Sequence, residues 1–101
     1  MNNLYNVFKN VKFSSDGEIE EKVYEDDTLR IIRTMSLNQA TGFYDQDELE
    51  IVILLGGVAE IEYDDGRIIS LEKGDTLEIK PHEIHRVKSQ DKAIWLCIFK
   101  K

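Results

Sequence analysis

The chain has 101 residues, 42% of them hydrophobic, and a formal net charge of −7. That length supports one domain around one core, and the composition is too apolar for disorder. The acidic balance, with lysines and arginines scattered and no patch interleaved with aromatics, excludes nucleic acid as a partner, since such binding needs clustered cations to displace counterions.

No apolar run approaches the roughly 20 residues of a membrane helix, so no membrane partner is expected. The start Met1-Asn2-Asn3-Leu4 lacks the basic-then-apolar layout of a leader. A single cysteine, Cys97, cannot form an internal disulfide, which points to a reducing, cytoplasmic setting. From the N-terminus, Leu4, Val7 and Phe8 fall at helical spacing and predict one helical turn capping an open end.

Strand patterns then follow one another. Residues 28–37 are rich in β-branched side chains. Residues 49–55 are almost continuously apolar, as in a strand covered on both faces. From Gly57 to Asp64 the chain alternates, with Ala59, Ile61 and Tyr63 on one face and Glu60 and Glu62 on the other. Asp65-Gly66 is a hairpin turn, because both residues tolerate positive φ. Residues 67–71, 76–80, 84–88 and 93–100 complete a run of short strands, so an all-β sandwich or barrel is predicted. Strands apolar on both faces imply two packed layers or a dimer contact, and a homodimer is expected.

Both histidines, His82 and His85, fall in the stretch from Lys73 to Val87, after the only proline, Pro81. His85 shares a strand face with Val87, and Glu50 shares one with Val52 and Leu54. A carboxylate and an imidazole on apolar faces are costly to bury unless paired or ligating a cation. The run Tyr44-Asp45-Gln46-Asp47-Glu48 adds oxygen donors at the entrance of the Glu50 strand. Two histidines with one or two carboxylates suit zinc, iron, nickel or manganese. The plainer alternatives are a hydrogen-bonded histidine, a solvated acidic turn, and Glu50 paired with Arg33 or Arg86. Cys97, between Trp95 and Phe99 on its strand face, reads as a buried structural thiol. Trp95 reads as core or dimer packing, or as a surface for ligand stacking.

From residue 28 to the end the chain resembles a small single-domain cupin. Glu50 and Gly57 keep the glutamate-to-glycine spacing of the first cupin motif. Gly74 and His85 keep the glycine-to-histidine spacing of the second, and Gly74-Asp75 matches its usual opening. The first motif's paired histidines are replaced by Phe43 and Asp45, or by Tyr44 and Gln46 if the spacing is one shorter. His82 stands where the second motif has its inner glycine, and Pro81 lies one place late. The likeness is to a subgroup with Tyr-Asp-Gln in place of the paired histidines.

The resemblance implies a jelly-roll barrel of the double-stranded β-helix type over residues 28–101, after an N-terminal extension of residues 1–27 with the helical turn and an edge strand. It also implies a divalent transition metal held by Glu50 and His85, with Asp45 or Gln46 and His82 as substitutes for the missing histidines. Two functions follow. One is a metal-binding cupin acting on a small organic molecule. The other is a metal-free barrel that binds or senses a small ligand without turnover.

Overall fold

The computed structural model describes residues 4–101; Met1, Asn2 and Asn3, the first part of the stretch read as lacking a leader, fall outside the described residues. Six strands make one antiparallel sheet: β1 (Ile19–Glu25), β2 (Leu29–Ser36), β3 (Leu49–Tyr63), β4 (Ile68–Glu72), β5 (Thr76–Ile79) and β6 (His85–Lys100). Their order is β1-β2-β6-β3-β4, with β5 also paired to β3. The all-β jelly-roll expectation holds.

The two long strands set the architecture. Sequence pattern divides residues 49–64 and 84–100 into separate strands, but each pair is one continuous strand that bends. Register shifts along the β3–β6 ladder mark the bend, between Leu54 and Gly56 and between Gly56 and Val58. Before it, even-numbered Glu50, Val52 and Leu54 are buried; after it, odd-numbered Ala59, Ile61 and Tyr63 are. An irregular residue pair has therefore switched which parity faces inward, as a bulge does. The inner faces of the two halves meet, with Val52, Leu54, Ala59, Ile61, Tyr63, Leu71, Ile79, Ala93 and Trp95 forming the core.

Glycine is required at the bend. Gly57 has φ +76°, and a Cβ there would lie 2.4 Å from the carbonyl oxygens of both Asp91 and Lys92. The Asp65-Gly66 turn forms as expected. Gly66 N–H donates to Tyr63 O at 3.0 Å, Tyr63 N–H donates to Arg67 O at 2.9 Å, and Gly66 takes φ +91°. This is a three-residue hairpin loop closed by a glycine bulge, and it sets Ile68 opposite Glu62, beside Tyr63.

The N-terminal helical turn is not formed, and no helix occurs among the described residues. The cause is Arg33. Its side chain is buried on the outer face of β2 and donates to the carbonyls of Val7 at 3.1 Å, Lys9 at 2.6 Å and Asn10 at 3.4 Å. It also pairs with Glu21. Those carbonyls serve the guanidinium instead of a helical ladder, and Asn10 takes φ +56° to present its own. Hydrogen bonding of Phe8 N–H to the Asn6 side chain tightens the turn locally.

On the same outer face Ile31, Ile51, Ile53, Leu96 and Ile98 alternate with inward residues and stay only partly buried. Ile51 lies opposite Ile98 and Ile53 opposite Leu96, so the stripe is continuous across the ladder. If two copies pair through this uncharged stripe, light scattering at micromolar concentration should give twice 11.7 kDa. Ile53→Glu should then shift the mass to that of a monomer.

The bend gives a second expectation. Gly57→Ala combines left-handed backbone with two carbonyl clashes and should cost about 3 kcal/mol or more. Gly66→Ala, whose Cβ would meet nothing within 4 Å, should cost only about 1–2 kcal/mol. Urea denaturation of the two variants checks the difference.

Candidate functional site

The bend leaves a pocket of about 430 Å³ between the two inner faces. Its floor is apolar, from Val52, Ile61, Ile79, Val87 and Trp95. Trp95 is locked in place, its indole N–H donating to the Gln90 side chain at 2.8 Å, while Gln90 donates to Gln39 O at 2.6 Å. On this floor sit two buried ionisable groups, Glu50 at 6% exposure and His85 at 5%.

Each is placed by its strand. Glu50 is opposite Phe99 of β6 and Ile79 of β5. His85 starts β6, opposite Tyr63, and bridges Tyr44 through two backbone hydrogen bonds of 2.7 and 3.2 Å. His85 Nδ1 lies 2.7 Å from Glu83 O. A carbonyl only accepts, so Nδ1 carries the hydrogen, and the neutral ring presents a bare Nε2. That nitrogen is 3.9 Å from Glu50 Oε1, too long for a direct hydrogen bond and short enough for one bridging atom.

Glu50 is held by neutral donors: Gln46 Nε2 at 3.1 Å and the Cys97 thiol. Burial pushes its carboxyl above the usual range, against the lowering effects of Gln46 and His85. Burial likewise raises the Cys97 thiol well above its ordinary value, with Glu50 beside it adding to the effect. A thiol in that setting is no nucleophile, in line with the structural reading. Neither arginine weighed as a partner reaches Glu50. Arg33 lies on the opposite face of the sheet, and Arg86 pairs with Glu62.

Of the five candidate ligands, Glu50, His85 and Gln46 come together in the pocket. Asp45 and His82 do not line it. His82 sits on the surface with φ +61°, its Nδ1 2.8 Å from Asp45 and its Nε2 3.2 Å from Asp47. The hydrogen bond and charge of Asp45, then the charge of Asp47, raise its pKa. The reason for the separation is backbone: His82 N–H donates to Gln46 O at 2.8 Å, which turns its side chain along the outside of the 44–48 loop.

A transition-metal centre generally takes three or four strong protein donors. Among the described residues no group of three or more His, Cys, Asp and Glu side chains is arranged to hold an ion. Glu50 and His85 supply two donors, and the third neighbour is an amide. The donor set falls short of a resident metal centre.

Comparison with known proteins then fixes the family. A family model described as the cupin domain matches residues 39–99, more than half the chain. The chain belongs to the cupin family. Comparison with curated proteins gives no match. Among solved structures, this cupin is similar to a putative mannose-6-phosphate isomerase from Ralstonia eutropha JMP134, with 28% identity, 97% of each chain covered and a TM-score of 0.90. An RmlC-like cupin from a Desulfovibrio desulfuricans subspecies superposes with a TM-score of 0.85 at 18% identity, covering 96% of this chain and 94% of the other. The polyketide cyclase RemF from Streptomyces resistomycificus gives 0.73 at 15% identity, over 83% of this cupin and 65% of RemF. At those last two identities the likeness is one of fold.

Sequence reading missed the pocket's rim. Glu18 just before β1, Glu20 on β1, Arg30 and Thr34 on β2, and Thr41 all line it. The only available signal was parity: Glu18 and Glu20 alternate, as do Arg30, Ile32 and Thr34, but which parity faces inward depends on the sheet order.

Because burial raises the Glu50 carboxyl, its ionised form opposes folding. That penalty is absent below the ordinary carboxylate pKa and grows as pH rises through the raised native value. Glu50→Gln, which keeps the acceptor for Gln46, should melt higher than wild type at pH 7. The advantage should vanish below about pH 4. Thermal denaturation across pH checks both limits.

Proposed function

We propose that this cupin binds a small organic molecule in the Glu50–His85 pocket and can exchange a proton with it. The reading rests on one arrangement: a buried imidazole with Nδ1–H tied to Glu83 O, turning a bare Nε2 toward Glu50. Both groups stand on an apolar floor, where a few convergent polar atoms orient a ligand. The 3.9 Å gap leaves room for a ligand hydroxyl or carbonyl oxygen between Nε2 and Glu50 Oε1.

The chemistry follows from the two protonation states. Burial shifts Glu50 toward its protonated form relative to an exposed carboxyl; in that form it can donate to a ligand oxygen while Nε2 accepts from the ligand. Transfer of one proton gives a carboxylate beside an imidazolium, an arrangement each partner stabilises in the other. Tyr44, whose ring centroid lies 5.8 Å from that of His85, closes the mouth side. Burial raises the pKa of its hydroxyl, so it stays a neutral donor at physiological pH. Gln46 fixes the carboxylate it donates to.

A second reading keeps a zinc, iron, nickel or manganese ion at the same point. The free Nε2 facing Glu50 favours it, since ligating imidazole must be unprotonated there. With two strong protein donors the remaining positions would fall to solvent or ligand, so binding would be weak.

Trp95 is the only tryptophan and forms part of the floor, so its fluorescence reports on occupancy. A screen of small polar metabolites should yield compounds that change Trp95 emission in wild type and not in His85→Ala. Calorimetry with zinc(II), nickel(II), manganese(II) and iron(II) should give dissociation constants of about 10 μM or weaker. A sub-micromolar metal site abolished by His85→Ala would replace the organic-ligand reading with the metal one.

A further inference from the structure

The charge around the pocket is unbalanced. Four carboxylates line it, from Glu18, Glu20, Glu48 and Glu50, against a single guanidinium, Arg30. Arg30 is already engaged: its Nη2 lies 3.0 Å from Glu48 Oε1, and its Cζ stacks 4.3 Å from the Phe99 ring centroid. Glu18 accepts from two neutral donors, the Ser36 hydroxyl and Gln90 Nε2. Glu20 has no ion pair among the described residues and stands exposed on β1. With Arg30 matched to Glu48, Glu18 and Glu20 remain uncompensated even when Glu50 is neutral. Both carboxylates also contribute to raising the Tyr44 hydroxyl pKa, behind burial and together with Glu50, which places their charge at the same mouth.

The carboxylates are not a bare acidic cluster. They surround an apolar cavity into which a 95%-buried imidazole turns an Nε2 that has no hydrogen-bond partner among the described residues. Aromatic surface adjoins them, from Trp95 on the floor and Tyr44 at the mouth. Carboxylate and aromatic faces together suit an organic ammonium, by charge and by attraction to the ring quadrupole. A phosphate or carboxylate ligand would meet no free cation, and repulsion in this partly desolvated space is stronger than in water.

Resting on the organic-ligand reading, we infer that the pocket selects amine-bearing molecules and rejects anionic ones, sugar phosphates included. The isomerase name carried by the Ralstonia eutropha relative therefore does not extend to a phosphorylated substrate here. Selectivity comes chiefly from the repulsive rim, with the apolar floor binding each ligand body alike.

Three probes sharing one aromatic body separate charge from shape: tyramine, tyrosol and 4-hydroxyphenylacetate. Titration of Trp95 fluorescence at low ionic strength should rank them in that order, with about tenfold or more between the cation and the anion. The gap should narrow at high salt and in Glu20→Lys, an exposed change whose fold a melting curve verifies. Mannose 6-phosphate should not bind. Equal or reversed ranking, or saturable binding of mannose 6-phosphate, overturns the charge selection and leaves the organic-ligand pocket standing. No binding of any of the three phenols up to millimolar concentration overturns the pocket reading and this inference with it.

Discussion

The barrel depends on the close approach of two bent strands. Where β3 turns back, the backbone at Gly57 comes so near the carbonyls of Asp91 and Lys92 that no side chain fits between them. That contact lets two long strands, already zipped along the β3–β6 ladder, fold as one ribbon and lay their own inner faces together. Everything inside the molecule follows from it. The switch of inward parity across the bend buries Val52 and Leu54 from one half against Ala59 and Ile61 from the other. The pocket is the space the two halves do not fill.

Within that space, stability and chemistry pull in different directions. An apolar floor would be best completed by apolar side chains, yet it carries a carboxyl met by neutral donors and an imidazole that donates to a carbonyl, the two facing each other only across a gap. The surroundings supply enough hydrogen bonds to keep both groups in place, from Gln46, Cys97 and Glu83 O, and leave one nitrogen without a partner. A fold optimised for stability alone would not keep such an atom. Its orientation is set by backbone rather than by a charged neighbour, so the ring is held in position whatever the protonation state of Glu50.

Much of this was legible in the residues. The alternation from Gly57 to Asp64, the Asp65-Gly66 turn and the apolar faces shared by Glu50 and His85 all report local backbone geometry, which periodicity encodes directly. The spacing of Glu50 to Gly57 and of Gly74 to His85 carried the cupin likeness. What could not be read depends on contacts between distant segments. Helical spacing of Leu4, Val7 and Phe8 says nothing of an arginine on β2 that claims the carbonyls of Val7, Lys9 and Asn10. The nearness of His82 to His85 in sequence hides a hydrogen bond to Gln46 that turns one imidazole outward while the other faces in. Continuous strands were divided because a bend and a break look alike where Gly56-Gly57 interrupts β3 and the polar run Ser89-Gln90-Asp91-Lys92 interrupts β6. The acidic rim was invisible for want of the sheet order that brings β1 alongside.

Arg33 gives the first residues a weight their composition conceals. A guanidinium cannot shed its proton in a protein, so once buried on the outer face of β2 it must be solvated by something, and the carbonyls of Val7, Lys9 and Asn10 perform that task in place of water. Removing those residues would not merely shorten the chain. It would open the guanidinium and the outer face of β2 to water, exchanging the three carbonyl contacts for hydration and leaving Glu21 as its ion-pair partner. A truncated form beginning at the first residue of the cupin match would lack Arg33 altogether, and with it the strand that covers one side of the pocket.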